Sequence, residues 1–180
     1  RTHGQICSRY CRTTITAGNE GEAVITVSHP ASENQLKINV RVGSEYVTDT
    51  RPISYISASS EVVTMTKDTL RHQLTAFLVN GPETDKSSGF TFQVDKPSIV
   101  TIESQYASGT VFLKPTGLGI AELTISHPDA VADKKVLVVV GNTAEELAGF
   151  KYLSTAQNVV TIAEGSTKTL GVTVENTDEV

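Results

Sequence analysis

The chain repeats itself at a period of about 97 residues. GEAVITVSHP at 21–30, followed by KINVRVG at 37–43, returns as GIAELTISHP at 119–128 with KVLVVVG at 135–141. YIS at 55–57 and VVTM at 62–65 return as YLS at 152–154 and VVTI at 159–162. Self-similarity at a domain-sized period marks a tandem array, so the 180 residues do not read as one continuous body. The register defines one complete unit, 52–141, with connectors at 44–51 and 142–151. Residues 1–43 match only the back of a unit, and residues 152–180 only its front. Even a domain of about 60 residues is marginal, and neither end segment is long enough to bury a core alone. The expectation is one complete unit flanked by two partial ones: the C-terminal part of one domain at 1–43 and the N-terminal part of a further domain at 152–180, in a piece of a longer array. Exchange of strands between copies would still leave the middle strands missing, so truncation of a longer array is the preferred reading.

The sequence is rich in valine, threonine, isoleucine and serine, lacks tryptophan and has one methionine. β-Branched side chains fit a pleated, half-buried surface and lose rotamer freedom in a helix. An all-β chain is expected. Within 52–141, strands are predicted at 62–65, 74–79, 90–94, 99–102, 110–114, 121–126 and 135–140, separated by polar or Gly/Pro turns. Short strands with turns every 8 to 12 residues or so are the pattern of a two-sheet sandwich. One helix is predicted, at 143–148, as a spacer between units. The net charge of −5 is spread along the chain with no basic run, which argues against a nucleic-acid partner. The longest apolar run, 136–140, is strand-sized, so no direct membrane insertion of this segment is expected.

The motifs resemble the bacterial immunoglobulin-like domain, group 2. VTIAEGSTKTLGVTV at 160–174 matches the family's opening strand, Gly turn and Thr-Leu strand. FQVDKPSIVTI at 92–102 matches its aromatic strand and Asp-x-Ser centre, and the Gly-x-Ala-x-Ile-Thr-Val closing strand stands at 21–27 and 119–125. The departures are Phe92 where the family has a tryptophan, and the Ser-His-Pro corner after the closing strand. The resemblance implies tandem immunoglobulin-like β-sandwiches and an extracellular or cell-surface setting, with a periplasmic, lumenal or phage-virion setting as the alternatives.

The residues that could carry chemistry are few. Cys7 and Cys11 are the only cysteines. By the repeat they fall on the two sides of a hairpin tip, equivalent to Gln105 and Gly109. A local disulfide suits that place and an oxidising compartment; free thiols, or a zinc or redox role, are the other readings. Zinc wants about four ligands and only His3 lies near, while a redox pair usually has two residues between its cysteines rather than three. His29 and His127 recur at equivalent places, each before a proline. Equivalent positions in successive sandwiches cannot share one metal, and the proline favours a strand-ending corner. Asp68, Asp85, Asp95 and Asp129 fall in turns, where the side chain bonds the local backbone. Glu45, Asp49, Glu145 and Glu146 flank the connectors, the one place where calcium at a joint could be sought. The long polar loop 80–89, with Asn80, Gly81, Glu83, Asp85 and Lys86, is the candidate partner-binding element, because loops at sandwich ends bind partners.

No nucleophilic elbow, phosphate-binding loop or dinucleotide fingerprint is present, so no enzyme and no cofactor are expected. The expected role is a non-catalytic structural or spacer segment of a multi-domain surface or assembly protein, partnered by other domains of its chain or neighbouring subunits. The alternative is an adhesive module that binds a host protein, a glycan or a partner subunit through loops at the sandwich end; for a glycan, Tyr46, Tyr55, Tyr106 and Tyr152 are the aromatic candidates.

Overall fold

The computed structural model describes residues 10–43, 54–80, 88–155 and 159–176. The leading segment carries strands β1 (Tyr10–Thr16), β2 (Gly21–Val27) and β3 (Leu36–Gly43). The central segment carries β4 (Tyr55–Ala58), β5 (Val62–Thr66), β6 (His72–Val79), β7 (Thr91–Val94), β8 (Val100–Tyr106), β9 (Thr110–Pro115), β10 (Gly119–Ser126) and β11 (Lys134–Gly141), closed by helix α1 (Ala144–Ala148). The trailing segment carries β12 (Tyr152–Ser154), β13 (Val159–Ala163) and β14 (Thr167–Glu175). The chain is all-β and builds two sandwiches. One, the middle unit, is Ile53–Ala148; the other, the split unit, joins Arg1–Pro52 to Gly149–Val180.

In the middle unit the sheets run β4-β6-β9-β8 and β5-β11-β10-β7. Alternation along each strand sends one set of side chains inward, as the period of two requires. Leu74, Ala76 and Leu78 of β6 face Ala121, Leu123 and Ile125 of β10 and Val136, Val138 and Val140 of β11 in one core. Phe90 and Phe92 stack at 6.5 Å between ring centroids and belong to that core. Strand β5 runs parallel to β11, with Val63 opposite Val138 and Met65 opposite Val140. A buried parallel partner explains why both strands are apolar beyond simple alternation.

Two features of this unit differ from the sequence reading. An eighth strand, β4, pairs Ile56 with Leu78 of β6. YIS is too short to announce a strand by periodicity; its partner makes it one. The helix, expected as a spacer in the connector, belongs to the middle unit. Thr143 caps it, accepting from the Glu146 amide at 3.2 Å, and the Glu146 carboxylate accepts from the Asn142 amide at 2.9 Å. Leu147 lies so close to Gly141 that a Cβ there would meet it at 3.0 Å.

The split unit departs further. The sequence reading placed 1–43 and 152–180 in two different units; in the structure they share one. Its sheets run β12-β14-β1 and β13-β3-β2. Strand β14 pairs antiparallel with β1, with Leu170 opposite Thr13, and β13 pairs parallel with β3, with Val160 opposite Val40. Ile38 and Val40 from the leading segment pack with Val160, Ile162 and Leu170 from the trailing one. Each segment alone carries a one-sided apolar face, and joining them buries both. Backbone bonds stitch the turns: the Ala17 amide donates to the Ser166 carbonyl, and the Glu164 amide to the Gly43 carbonyl. Asn34 adds a side-chain clamp. Its Oδ1 accepts from the Leu153 amide at 2.7 Å and its Nδ2 donates to the Leu153 carbonyl at 3.1 Å.

The repeat now maps strand on strand. β12, β13, β14, β1, β2 and β3 stand where β4, β5, β6, β9, β10 and β11 stand in the middle unit. β7 and β8 have no counterpart among the described residues.

Candidate functional site

The most organised polar feature lies where the loop 80–89 returns to the sandwich. β10 ends at Ser126, and His127-Pro128 turns the chain. The Asp129 amide donates to His127 Nδ1 at 3.1 Å, so the ring proton sits on Nε2 and is donated to the Ser88 carbonyl at 2.6 Å. The imidazole stands edge-on to Phe90, with centroids 4.7 Å apart. Gly89, at φ 102°, lets the chain pass close: a Cβ there would meet Nε2 at 3.2 Å. His127 is thus a buried corner that fixes the end of the loop and the start of β7. His29 repeats half of this arrangement, since its Nδ1 accepts from the Ala31 amide at 3.1 Å.

At the other end of the loop, Asn80 takes a left-handed turn at φ 59°, and its carbonyl accepts from Ser54 Oγ at 2.9 Å. Asn176, after β14, repeats the conformation at φ 57°. Asparagine tolerates this region better than most residues. Gly81, Glu83, Asp85 and Lys86 lie outside the described residues, so of the five residues proposed for partner binding only Asn80 is placed.

Cys11 sits within β1 opposite Val172 and is disulfide-bonded. Cys7 lies outside the described residues, as do His3, Tyr46, Glu45, Asp49 and Asp85. The turn aspartates divide. Asp95 Oδ1 accepts from the Glu122 amide at 2.7 Å, bridging to the neighbouring strand rather than to its own turn. Asp68 pairs with exposed Lys67 at 2.9 Å. Glu146 serves as a helix cap. Among the described residues no three His, Cys, Asp or Glu side chains converge on a metal-sized point. Tyr55 and Tyr152 hold equivalent half-buried places at the starts of β4 and β12. Burial, then the Glu175 carboxylate across the ladder, push the Tyr152 hydroxyl pKa up. Tyr106 remains on the surface, edge-on to Phe112 at 6.4 Å, and Arg71 lies over the Phe112 ring at 4.6 Å.

Three residues with clear tasks escaped the sequence reading. Lys134, buried at the start of β11, holds Glu61 just before β5 at 2.5 Å. Gln105 lends its side-chain oxygen to the Phe92 amide at 3.0 Å, capping a donor of edge strand β7. Asn34 is the third. Its one available signal was that the repeat places an alanine, Ala132, at the matching position.

No protein-family model matches the chain, and no curated protein matches it. Among solved structures it is similar to domains 4 and 5 of the S-layer protein SbsC, at 18% identity and TM-score 0.40, over 73% of this chain and 75% of that one. A longer SbsC structure matches at 18% identity and TM-score 0.42, over 75% of this chain and 20% of that one. The PKD domain of human KIAA0319 matches at 17% identity and TM-score 0.34, over 54% of this chain and 91% of that one. No helix among the described residues is long and apolar enough to cross a membrane.

Proposed function

We propose that the chain is a non-catalytic structural segment of a larger multi-domain surface or assembly protein, built from immunoglobulin-like units of the group 2 bacterial type. The observation that carries this reading is the use of the polar side chains. His127, Asp95, Glu146, Asn34 and the Lys134–Glu61 pair each hold one element of a sandwich to another. A catalytic or metal site needs such groups to converge and stay available. Here they are dispersed and engaged. The setting that fits is an extracellular or cell-surface one, with other domains of the same protein as partners.

The test is made in the parent protein. Insertions of several residues into the connectors, at 44–51 and 149–151, should impair its assembly or surface display, while substitutions at Glu83, Asp85 and Lys86 should leave it unchanged. Tolerance of the connector insertions, with loss on loop substitution, would favour adhesion instead.

The adhesive reading draws on one specific feature, the exposed ring of Tyr106, set edge-on to the half-buried Phe112, whose face Arg71 covers. Flat aromatic faces with a polar neighbour suit a sugar ring. Saturable binding to a glycan array that is lost in Tyr106→Ala is the result this second reading expects.

A further inference from the structure

The outer face of one sheet differs between the two units. In the middle unit Leu74, Ala76 and Leu78 of β6 and Val111 and Leu113 of β9 point into the core. Alternation therefore turns Gln73, Thr75 and Phe77 outward on β6, and Thr110, Phe112 and Lys114 outward on β9. Gln73 stands opposite Phe112, and Thr75 opposite Thr110. Tyr106 of β8, also opposite Thr110, sets its ring against Phe112. In the split unit the positions of Arg71, Gln73, Phe77, Phe112 and Lys114 are held by Thr167, Thr169, Thr173, Thr14 and Thr16. Threonine suits a solvated sheet face and keeps its cross-strand pairing. Since threonine serves the same sandwich at all of these places, the fold itself does not call for phenylalanines and cations there.

The cations on this face also stand apart from the others of the middle unit. Lys67, Lys134 and Lys135 pair with the carboxylates of Asp68, Glu61 and Glu122. Lys96 donates to the Ile120 carbonyl at 2.9 Å. Arg71 and Lys114 meet no carboxylate among the described residues. One step beyond the His72–Leu113 pair, the register brings them level with each other. Arg71 lies instead over the Phe112 ring at 4.6 Å, which steadies its planar fork while leaving the N–H donors for another group. β6, β8 and β9 together carry one carboxylate, Glu103, exposed at the β8 bulge. The cation on the matching face of the split unit is engaged, since Arg12 Nε donates to the Tyr10 hydroxyl at 3.2 Å.

We infer that this face binds an acidic saccharide, with a sugar ring laid on Tyr106 and its carboxylate taken by Arg71 and Lys114. The inference rests on the glycan reading given above and adds the charge of the ligand. A guanidinium fork matches a carboxylate with two parallel hydrogen bonds, and the lysine adds a second positive charge beside it. Gln73, Thr75 and Thr110 bring amide and hydroxyl groups to the ring hydroxyls. The size of the face favours a saccharide over a protein. Three strands spaced about 4.8 Å apart and about 17 Å long present on the order of 250 Å². A stable protein interface covers about 800 Å² on each side, whereas a short run of sugar rings needs no more than this face offers.

The experiment uses the whole 180-residue chain, labelled with ¹⁵N. Three probes are titrated: hexagalacturonic acid, its methyl ester as a neutral twin, and hexaglutamate, which has the charge without the sugar rings. Saturable binding of the acid is expected, with amide shifts at Gln73, Thr75, Thr110 and Phe112 and none at Thr14 and Thr169. The ester should bind at least ~10-fold more weakly, because the charge-assisted bonds are lost, and hexaglutamate should also bind more weakly than the acid. Arg71→Gln, at an exposed position, should bring the acid down to the level of the ester and leave the ester unchanged, with the amides of Leu123 and Val138 reporting an intact core. Tyr106→Ala should weaken both. Equal binding of acid and ester would overturn the inference and leave the glycan reading standing. Hexaglutamate binding as tightly as the acid, or shifts centred on the split unit, would reduce the effect to unspecific charge attraction and overturn it too. No saturation by about 1 mM acid would likewise overturn it, and the glycan array, with neutral sugars included, then judges the glycan reading separately.

Discussion

At the scale of single residues, equivalent positions show how one backbone tolerates different chemistry. His72 on β6 stands opposite Leu113, and its counterpart on β14 is Lys168, opposite Ile15. Lys168 keeps its ammonium near the Thr161 carbonyl at the surface. His72 is partly buried, and burial holds its imidazole below the ordinary value of 6.5. The unfolded chain therefore takes up that proton more readily than the folded one. Above pH 6.5 both states are neutral and the group costs nothing; stability falls as the pH drops from there through the lowered folded-state value. Urea midpoints of the middle unit measured between pH 7.5 and roughly pH 4.5 should decline more in the native chain than in His72→Gln, and the split unit should not show this histidine-linked component. His29 and His127 illustrate what the sequence could and could not say. Recurrence before proline marked them as corners, and corners they are. The second bond of His127, to the Ser88 carbonyl, was invisible because its partner lies 39 positions away.

At the scale of elements, the strands of the middle unit were legible wherever alternation ran for five residues or more. β6, β10 and β11 fall close to their predicted bounds, whereas β4 and the far half of β8 do not. Residues 103–106 fall outside every predicted strand, yet they belong to β8: Ser104, Gln105 and Tyr106 pair with β9, and Glu103 is passed over at a bulge between Ile102 and Ser104. A bulge breaks the period of two, and with it the signal. Of the candidate binding loop only the ends, Asn80 and residues 88–89, are placed; residues 81–87 lie outside the described residues. In the split unit the stitching of elements depends on Asn34, which brings a side-chain amide to the backbone of β12 as though it were a further ladder residue. Asn34→Ala removes both bonds and leaves the Leu153 amide without that partner. A loss of about 1–3 kcal/mol is expected, read as an earlier urea transition for the split unit with the middle-unit transition unmoved. A single shared shift of both transitions would show that the clamp is not local.

At the scale of the whole molecule, the repeat gave the right building block and the wrong assembly. Local patterning fixes which residues face inward, but it says nothing about which segments share a core when two of them carry matching halves. The leading and trailing segments are each one-sided, and their union is set by tertiary pairing alone. This connectivity has a mechanical consequence. β1 and β14 are antiparallel neighbours, with Tyr10 opposite Thr173, so handles attached at Tyr10 and Asn176 would pull at the same end of one ladder. Tension there peels hydrogen bonds one after another instead of shearing them together, and it passes through the split unit before any reaches Ile53–Ala148. Optical-tweezer extension from those handles should give two ruptures in fixed order, a first at low force and a second, stiffer one. The first unit would then act as a fuse, yielding early and leaving slack behind it while the second still holds.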